Sequence, residues 1–246
     1  MCELCDKTSR SIPLPRRNVL KLATATAVSL LAAPYVAAAK TPAKESPKPE
    51  NILSPDAALD RLMAGNRRYV DGVSRRHDFK HERQALSAGQ NPFAAILSCA
   101  DSRIAPEFCF DTARGDVFVC RIAGNFASDE MIASLEYAVS VLKAPLIMVL
   151  GHDSCGAVDA AINSLKNGTT LPGHLPSLID AIAPAVKAVQ GQSGDMLANA
   201  IRRNVALNVD KLEGAAPILK SSVDDKKIRV VGGVYALKSG QVDLLT

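Results

Sequence analysis

The sequence predicts an α/β fold, with a central, mostly parallel β-sheet flanked by helices, an N-terminal helical arm and a C-terminal edge hairpin. Three apolar runs, at residues 93–97, 117–122 and 146–150, have the length and the side-chain types of buried strands. Segments with helical spacing alternate with these runs, which favours parallel strands covered by helices on both faces. At 246 residues, 48% of them hydrophobic, the chain is long enough for one good-sized core.

The N-terminal arm is predicted from a helix-start signal followed by apolar residues at helical spacing. Ser54 is suited to cap a helix and Pro55 to occupy its first position. Apolar residues then recur up to Gly72, namely Leu59, Leu62, Met63 and Tyr69. We expect one face of this helix to pack, either on its own domain or on a partner chain. A polar, basic stretch separates it from the first strand.

The later elements follow in order along the chain. Ser128 can cap a helix over residues 129–143, and strand 146–150 comes next. Further helices are predicted over residues 156–166, 178–189 and 196–212. Residues 228–236 and 241–244, joined by a short turn, are predicted to form the last strand and an edge hairpin.

Residues 1–39 have the layout of an export signal peptide. Arg16 and Arg17 precede an apolar stretch at 22–36, which ends in three alanines. The paired arginines resemble the twin-arginine type, whose translocase carries folded proteins, and they predict export to the bacterial periplasm. An uncleaved membrane anchor is the alternative, because about 15 apolar residues are nearly enough to span a bilayer. Pro34 and the alanines favour the cleaved signal.

Residues 40–51 are predicted to be a linker because they are rich in Pro, Lys and Glu, and residues 52–246 to be one domain. Without residues 1–39 the net charge falls from +4 to +1, since that segment holds five basic and two acidic residues. Aromatic residues are only 4% of the chain, and no basic stripe remains. This composition argues against a nucleic-acid partner and favours small neutral or singly charged substrates. No stable membrane anchor is expected after cleavage.

The cysteines leave two interpretations open. Cys2 and Cys5 lie in the predicted signal peptide and are not expected to act. The mature chain keeps four, Cys99, Cys109, Cys120 and Cys155, and an even number in an exported protein allows two disulfides. The apolar surroundings of Cys109 and Cys120 instead favour free, buried side chains.

Two strand ends carry a candidate metal site. Cys99 and Asp101 follow the first strand, and His152 and Cys155 follow the third. Zinc prefers thiolate and imidazole ligands, and a catalytic zinc takes three from the protein and leaves one position for water. We expect a helical turn after His152 to bring it to the same side as Cys155. Asp101 is then either a group beside an open metal or the fourth ligand of a closed, structural one.

These segments, with three others, resemble the β-class carbonic anhydrases over about four-fifths of the chain, from Ser54 onward. The matching blocks are residues 89–92 (Gly-Gln-Asn-Pro), 98–103 (Ser-Cys-Ala-Asp-Ser-Arg), 119–125 with Arg-Ile-Ala-Gly-Asn, 134–138 (Ser-Leu-Glu-Tyr-Ala) and 151–156 (Gly-His-Asp-Ser-Cys-Gly). Five blocks in the same order are a specific signal.

The resemblance implies one zinc per chain on Cys99, His152 and Cys155, and attack of zinc-bound hydroxide on CO₂ to give bicarbonate. It implies that Asp101 orients the hydroxide or takes the fourth metal position, and that Arg103 keeps the carboxylate off the metal.

The resemblance also implies a substrate pocket and an oligomer. Gln90 would donate an amide hydrogen bond to the substrate, and Phe118 and Tyr137 would line a narrow apolar pocket, partly across a dimer interface. Ala123 stands where some members have Val, which would widen the pocket slightly. The chain contains no Trp, so the Trp-dependent bicarbonate site of some members is not expected. A homodimer or a higher even oligomer is expected.

Two other functions remain open from the sequence. A hydrolase of CS₂ or COS would use the same zinc site and differ in substrate access. A non-catalytic zinc or redox-sensing module would saturate the metal with protein ligands or pair its cysteines.

Overall fold

A computed structural model describes residues 47–245, and they form the predicted α/β fold. A 3₁₀ turn over Pro49–Asn51 precedes helices α1 Pro55–Val70, α2 Phe79–Leu86, α3 Pro106–Cys109, α4 Asp129–Ser140, α5 Gly156–Asn167, α6 Leu175–Ala188, α7 Met196–Glu213 and α8 Ile218–Asp224. The strands are β1 Ala94–Ser98, β2 Val117–Arg121, β3 Leu146–His152, β4 Arg229–Tyr235 and β5 Val242–Leu245.

The strands form one sheet in the order β2-β1-β3-β4-β5. The first four are parallel and β5 is antiparallel to β4, so the mostly parallel sheet and the C-terminal hairpin are confirmed. Every residue of β1 and β3 is buried. From β1 the chain goes on to β2 on one side, and it then crosses to β3 on the other side of β1. The strand order therefore reverses between β1 and β3, at the carboxyl ends of these two strands. Open α/β sheets bind ligands at such a point.

Helices cover both faces of the sheet, each over its own cluster of buried side chains. Helices α4 to α8 pack on one face, and α1 and α3 on the other. Gly151, just before the end of β3, permits the close approach of α7, because a Cβ there would lie 2.6 Å from Cγ2 of Val205.

The sequence pattern missed helices α2, α3 and α8. Helix α2 begins inside the stretch that was expected to be merely polar and basic, and Asp78 caps it by accepting hydrogen bonds from the backbone N–H groups of Lys80 and His81. None of its residues is buried, so no apolar periodicity marks it in the sequence. Helix α4 is capped by Ser128 as predicted but ends at Ser140, three residues before the predicted end.

Residues 47–51 are packed on the domain, although the sequence predicts a linker up to residue 51. The Lys48 ammonium is buried, pairs with the Asp116 carboxylate and donates to the Arg114 carbonyl oxygen at 2.9 Å. Asn51 is also buried and donates to the Asn91 carbonyl oxygen at 3.1 Å. Composition alone does not reveal this anchor, because Asp116 lies far away in the sequence.

The predicted signal peptide at residues 1–39 and the first part of the predicted linker lie outside the described residues. Between residues 47 and 245, no helix is both long enough and apolar enough to cross a membrane.

Candidate metal centre

Three predicted ligands come together at the carboxyl ends of β1 and β3. Cys99 directly follows β1, His152 is the last residue of β3, and Cys155 is the N-cap residue of α5. All three are buried, and their ligand atoms lie within 4.8 Å of one another. The two sulfur atoms are 4.0 Å apart. The sheet order therefore joins, at one point, residues that lie more than fifty positions apart along the chain.

The turn between His152 and Cys155 differs from the predicted helical one. Helix α5 starts only at Gly156, and Cys155 itself has an extended backbone. Ser154 takes a left-handed conformation with φ of 51°. This tight turn, rather than a helix, brings the imidazole and the second thiol to the same side.

His152 has the hydrogen-bonding pattern of a metal ligand. Its Nδ1 donates to the Asp153 carbonyl oxygen at 2.8 Å, which leaves the Nε2 lone pair free. Nε2 is fully buried and has no hydrogen-bond partner among the described residues. Since a buried polar atom without a partner is costly, this nitrogen fits a role as a metal ligand.

The two thiols also fit a metal. The hydrogen bond from the Cys155 thiol lowers the pKa of Cys99 to about 4, and the same contact raises the pKa of Cys155. The Gly124 backbone N–H donates to the Cys99 sulfur at 3.3 Å. Two thiolates this close repel each other unless a cation lies beside both. Two sulfurs and one imidazole nitrogen form a donor set that suits zinc.

Asp101 lies beside the three ligands but is held by Arg103. The Arg103 Nε and backbone N–H donate to Oδ1 at 2.9 Å, and Nη2 donates to Oδ2 at 2.7 Å. The Arg103 hydrogen bond is the main reason why the pKa of Asp101 is lowered far below its usual value. Oδ2 is 3.8 Å from Nε2 of His152. The carboxylate is thus ionised and close to the ligands without being one of the group of three.

The loop after β1 is fixed by an arginine that sequence reasoning did not single out. Arg121, the last residue of β2, donates to the backbone carbonyl oxygens of Cys99, Asp101 and Ile104 at 3.0, 2.7 and 2.8 Å. One guanidinium therefore holds the whole loop that carries the first ligand and the neighbouring carboxylate.

Comparison with known proteins decides the family. The family model described as "Carbonic anhydrase" matches residues 94–242 of the chain, which include all three ligands. The chain belongs to the carbonic anhydrase family. Carbonic anhydrase 2 of Mycobacterium tuberculosis is 37% identical over 192 residues, which cover 78% of this chain and 93% of the relative. The carbonic anhydrase of Mycolicibacterium smegmatis is 36% identical over 196 residues, with the same coverage.

Solved structures agree with membership of the β class. A Coccomyxa β-carbonic anhydrase in complex with acetazolamide is 26% identical, has a TM-score of 0.58, and the alignment covers 77% of this chain and 82% of that one. A tetrameric β-carbonic anhydrase from Sordaria macrospora shares the fold, with a TM-score of 0.62 at 23% identity over 77% of this chain and 94% of that one.

The pocket residues expected for a β-carbonic anhydrase are only partly gathered in this chain. The Phe118 and Tyr137 rings lie 6.3 Å apart, and 46% of Tyr137 is exposed. Ala123 is half-buried, one residue before the Gly124 amide that contacts the Cys99 sulfur. Gln90 lines a surface cavity of about 800 Å³, whose lining includes Val141 but none of the three ligands.

The four cysteines of residues 47–245 are free and buried. The interpretation as two disulfides is therefore wrong, and Cys109 and Cys120 are small buried side chains as expected, 1% and 7% exposed. Burial raises the pKa of Cys109 to about 11 and also raises the pKa of Cys120, which keeps both as unreactive thiols.

Proposed function

We propose that this carbonic anhydrase holds one zinc ion on Cys99, His152 and Cys155 and hydrates CO₂ reversibly to bicarbonate and a proton. The observation that carries the proposal is the buried group of two sulfurs and one free imidazole nitrogen, in a chain of this family. Zinc bound there supplies a Lewis acid that lowers the pKa of a coordinated water towards neutrality. The other parts of the site are supplied by the chain.

Asp101 is proposed to accept a hydrogen bond from the group that occupies the fourth metal position. Its Oδ1 already receives two hydrogen bonds from Arg103, and Oδ2 receives one. A carboxylate has about four acceptor positions, so one remains on Oδ2, the oxygen nearest to Nε2 of His152. Arg103 supports this role twice, because its guanidinium keeps Asp101 ionised and also holds the carboxylate beside the three ligands without letting it become a fourth.

Phe118, Ala123 and Tyr137 are proposed to form the apolar wall that receives CO₂. The two rings stand in a tilted arrangement, and the small Ala123 side chain leaves room beside the loop that contacts Cys99. An apolar wall suits a neutral, linear substrate and limits the water that reaches the site.

A homodimer is proposed because the site is incomplete in one chain. Gln90 faces a cavity apart from the three ligands, and apolar side chains around that cavity are exposed, Ile52 at 74% and Val141 at 57%. Tyr137 is also half-exposed, although it is expected to face substrate. A second copy would bury these side chains and bring Gln90 to a neighbouring pocket.

Subunit mixing tests this arrangement. Gln90→Ala should keep its zinc and lose about tenfold in kcat/KM, because one substrate hydrogen bond is removed. Cys155→Ser should lose zinc and activity. Refolding the two variants together should raise kcat/KM per intact zinc site above that of Gln90→Ala alone, because Gln90 of one subunit serves the zinc of the other. No gain on mixing would contradict a Gln90 that acts across subunits.

Export through the twin-arginine route is proposed from residues 1–39. A folded passenger suits this chain, because Cys99 and Cys155 would be exposed to oxidation if they arrived unfolded in an oxidising compartment. Mass spectrometry of the exported protein should find Lys40 as the first residue. An intact N-terminus in the exported protein would contradict cleavage. A variant with both Arg16→Lys and Arg17→Lys should no longer be exported, and its continued export would contradict the twin-arginine route.

Neither alternative function gains support. The named relatives and structures are carbonic anhydrases, which gives a CS₂ or COS hydrolase no backing. A redox module with paired cysteines does not fit the free thiols of the described residues.

Asp101→Asn tests the proposed reaction and the open form of the site together. The amide keeps the shape but loses the anionic acceptor, so CO₂ hydration should fall about 100-fold in kcat/KM while zinc content stays at one per chain. Since Arg103 lowers the pKa of Asp101, wild-type activity should not fall through protonation of this group between pH 6 and pH 8, which is already roughly two to four pH units above its ordinary pKa.

Stopped-flow hydration and metal analysis of the same samples measure both effects, and Asp159→Asn on the exposed face of α5 is the matched control. Loss of zinc together with activity in Asp101→Asn would identify Asp101 as a permanent ligand of a structural metal. Zinc-loaded wild-type protein without CO₂ hydration would refute the function.

A further inference from the structure

We propose that Asp153 is a positioning residue, which orients the ligand His152 by fastening the turn after it to the end of β4. The inference rests on the proposed metal centre and adds to it a residue that does not touch the metal. Asp153 lies in the family-matching block 151–156, but the resemblance implies no role for it, since it is one of the two residues between the ligands His152 and Cys155.

Asp153 is attached to the end of β4 at two points. Its backbone N–H donates to the Tyr235 carbonyl oxygen at 3.0 Å, and its Oδ1 accepts from the Leu237 backbone N–H at 3.1 Å. The first contact involves the backbone only and would survive substitution. The second depends on the side chain and fixes the orientation of the Asp153 peptide.

The carbonyl oxygen of Asp153 is what this attachment places. It accepts the hydrogen bond from Nδ1 of His152 at 2.8 Å, and this bond selects the tautomer that leaves Nε2 free. The second hydrogen bond of a ligating histidine fixes the ring orientation, and its loss typically lowers metal affinity by 10- to 100-fold. Movement of the Asp153 peptide would therefore be transmitted directly to the imidazole.

The turn needs such external support because it is short and strained. Ser154 has φ of 51°, a conformation that residues other than glycine, Asn and Asp rarely adopt. The Ser154 carbonyl oxygen accepts one hydrogen bond, at 3.2 Å, from Arg103. The Arg103 side chain is half-exposed, so this contact comes from the surface of the protein. The contact with Leu237, in the turn between β4 and β5, is thus the side-chain anchor that adds to the backbone bond with Tyr235 and ties the turn to the end of the sheet.

The anchor itself is firmly built. Asn66 of α1 donates to the Gly240 carbonyl oxygen at 2.8 Å and accepts from the Val242 backbone N–H at 2.9 Å, so α1 holds the hairpin that contains Leu237. The hydroxyl groups of Tyr69 and Tyr235 lie 3.1 Å apart and add a second link between α1 and β4.

Asp153 could instead act through its charge. Its carboxylate is one of the groups that raise the pKa of Arg103, after the larger effect of Asp101. The two roles are separable, because Asn retains an acceptor oxygen for Leu237 and removes the charge. The proposed role depends on the acceptor and not on the charge.

The experiment compares Asp153→Ala and Asp153→Asn in the full mature chain, with Asp159→Ala as a control for loss of an exposed carboxylate on α5. Zinc affinity is measured by competition with a chromophoric chelator, and ligand geometry by the visible spectrum of the Co²⁺ form. We expect Asp153→Ala to bind zinc 10- to 100-fold more weakly with a changed Co²⁺ spectrum, and Asp153→Asn to stay within about threefold of the wild type.

Wild-type affinity in Asp153→Ala would overturn the proposal, and so would Asp153→Asn as weak as Asp153→Ala, because the charge would then carry the effect. Circular dichroism checks that each metal-free variant folds. If Asp153→Ala does not fold, Asp153→Ser replaces it, since its shorter side chain has no oxygen at the δ position. A wild-type chain that binds no zinc would refute the metal centre itself, which is a different result.

Discussion

The site depends on the adjacency of β1 and β3 at the point where the strand order reverses. Both strands are buried along their whole length, and their carboxyl ends stop at the same edge of the sheet. The sheet alone therefore makes Cys99 and His152 neighbours, whether or not a metal is bound. The tight turn after β3 adds Cys155. The remaining contacts of the site, from Arg121, Gly124 and Asp153, hold the loops that leave these strand ends.

The electrostatics of the site follow from this arrangement. Buried thiols and a buried imidazole nitrogen without a partner gain most from a cation, whereas the nearby carboxylate of Asp101 could compete for the same cation. Arg103 resolves the competition, because it occupies three of the acceptor positions of Asp101 and keeps the group ionised. In the proposed metal centre, the chain thus combines three ligands with a charged acceptor beside an open fourth position.

Much of the fold and the grouping of the candidate ligands was predictable because both have local signals. Apolar runs marked the strands, caps marked α1 and α4, and thiols and an imidazole at two strand ends marked the ligands. The sequence could not show contacts between distant positions. These are the ion pair of Lys48 with Asp116, the hydrogen bonds from Arg121 to the loop after β1, and the hydrogen bond from Leu237 to Asp153. The turn after His152 was predicted as helical because the spacing of three fits a helix, yet a left-handed Ser154 gives the same approach over the same residues without a helix.

X-ray absorption at the zinc edge of the metal-loaded mature chain tests the central claim most directly, since it counts the atoms around the metal. The account predicts two sulfur atoms at about 2.3 Å and two nitrogen or oxygen atoms at about 2.0–2.2 Å, for two thiolates, one imidazole and one further light atom. A sulfur count other than two, or a zinc that leaves Cys99 and Cys155 open to alkylation, would contradict it.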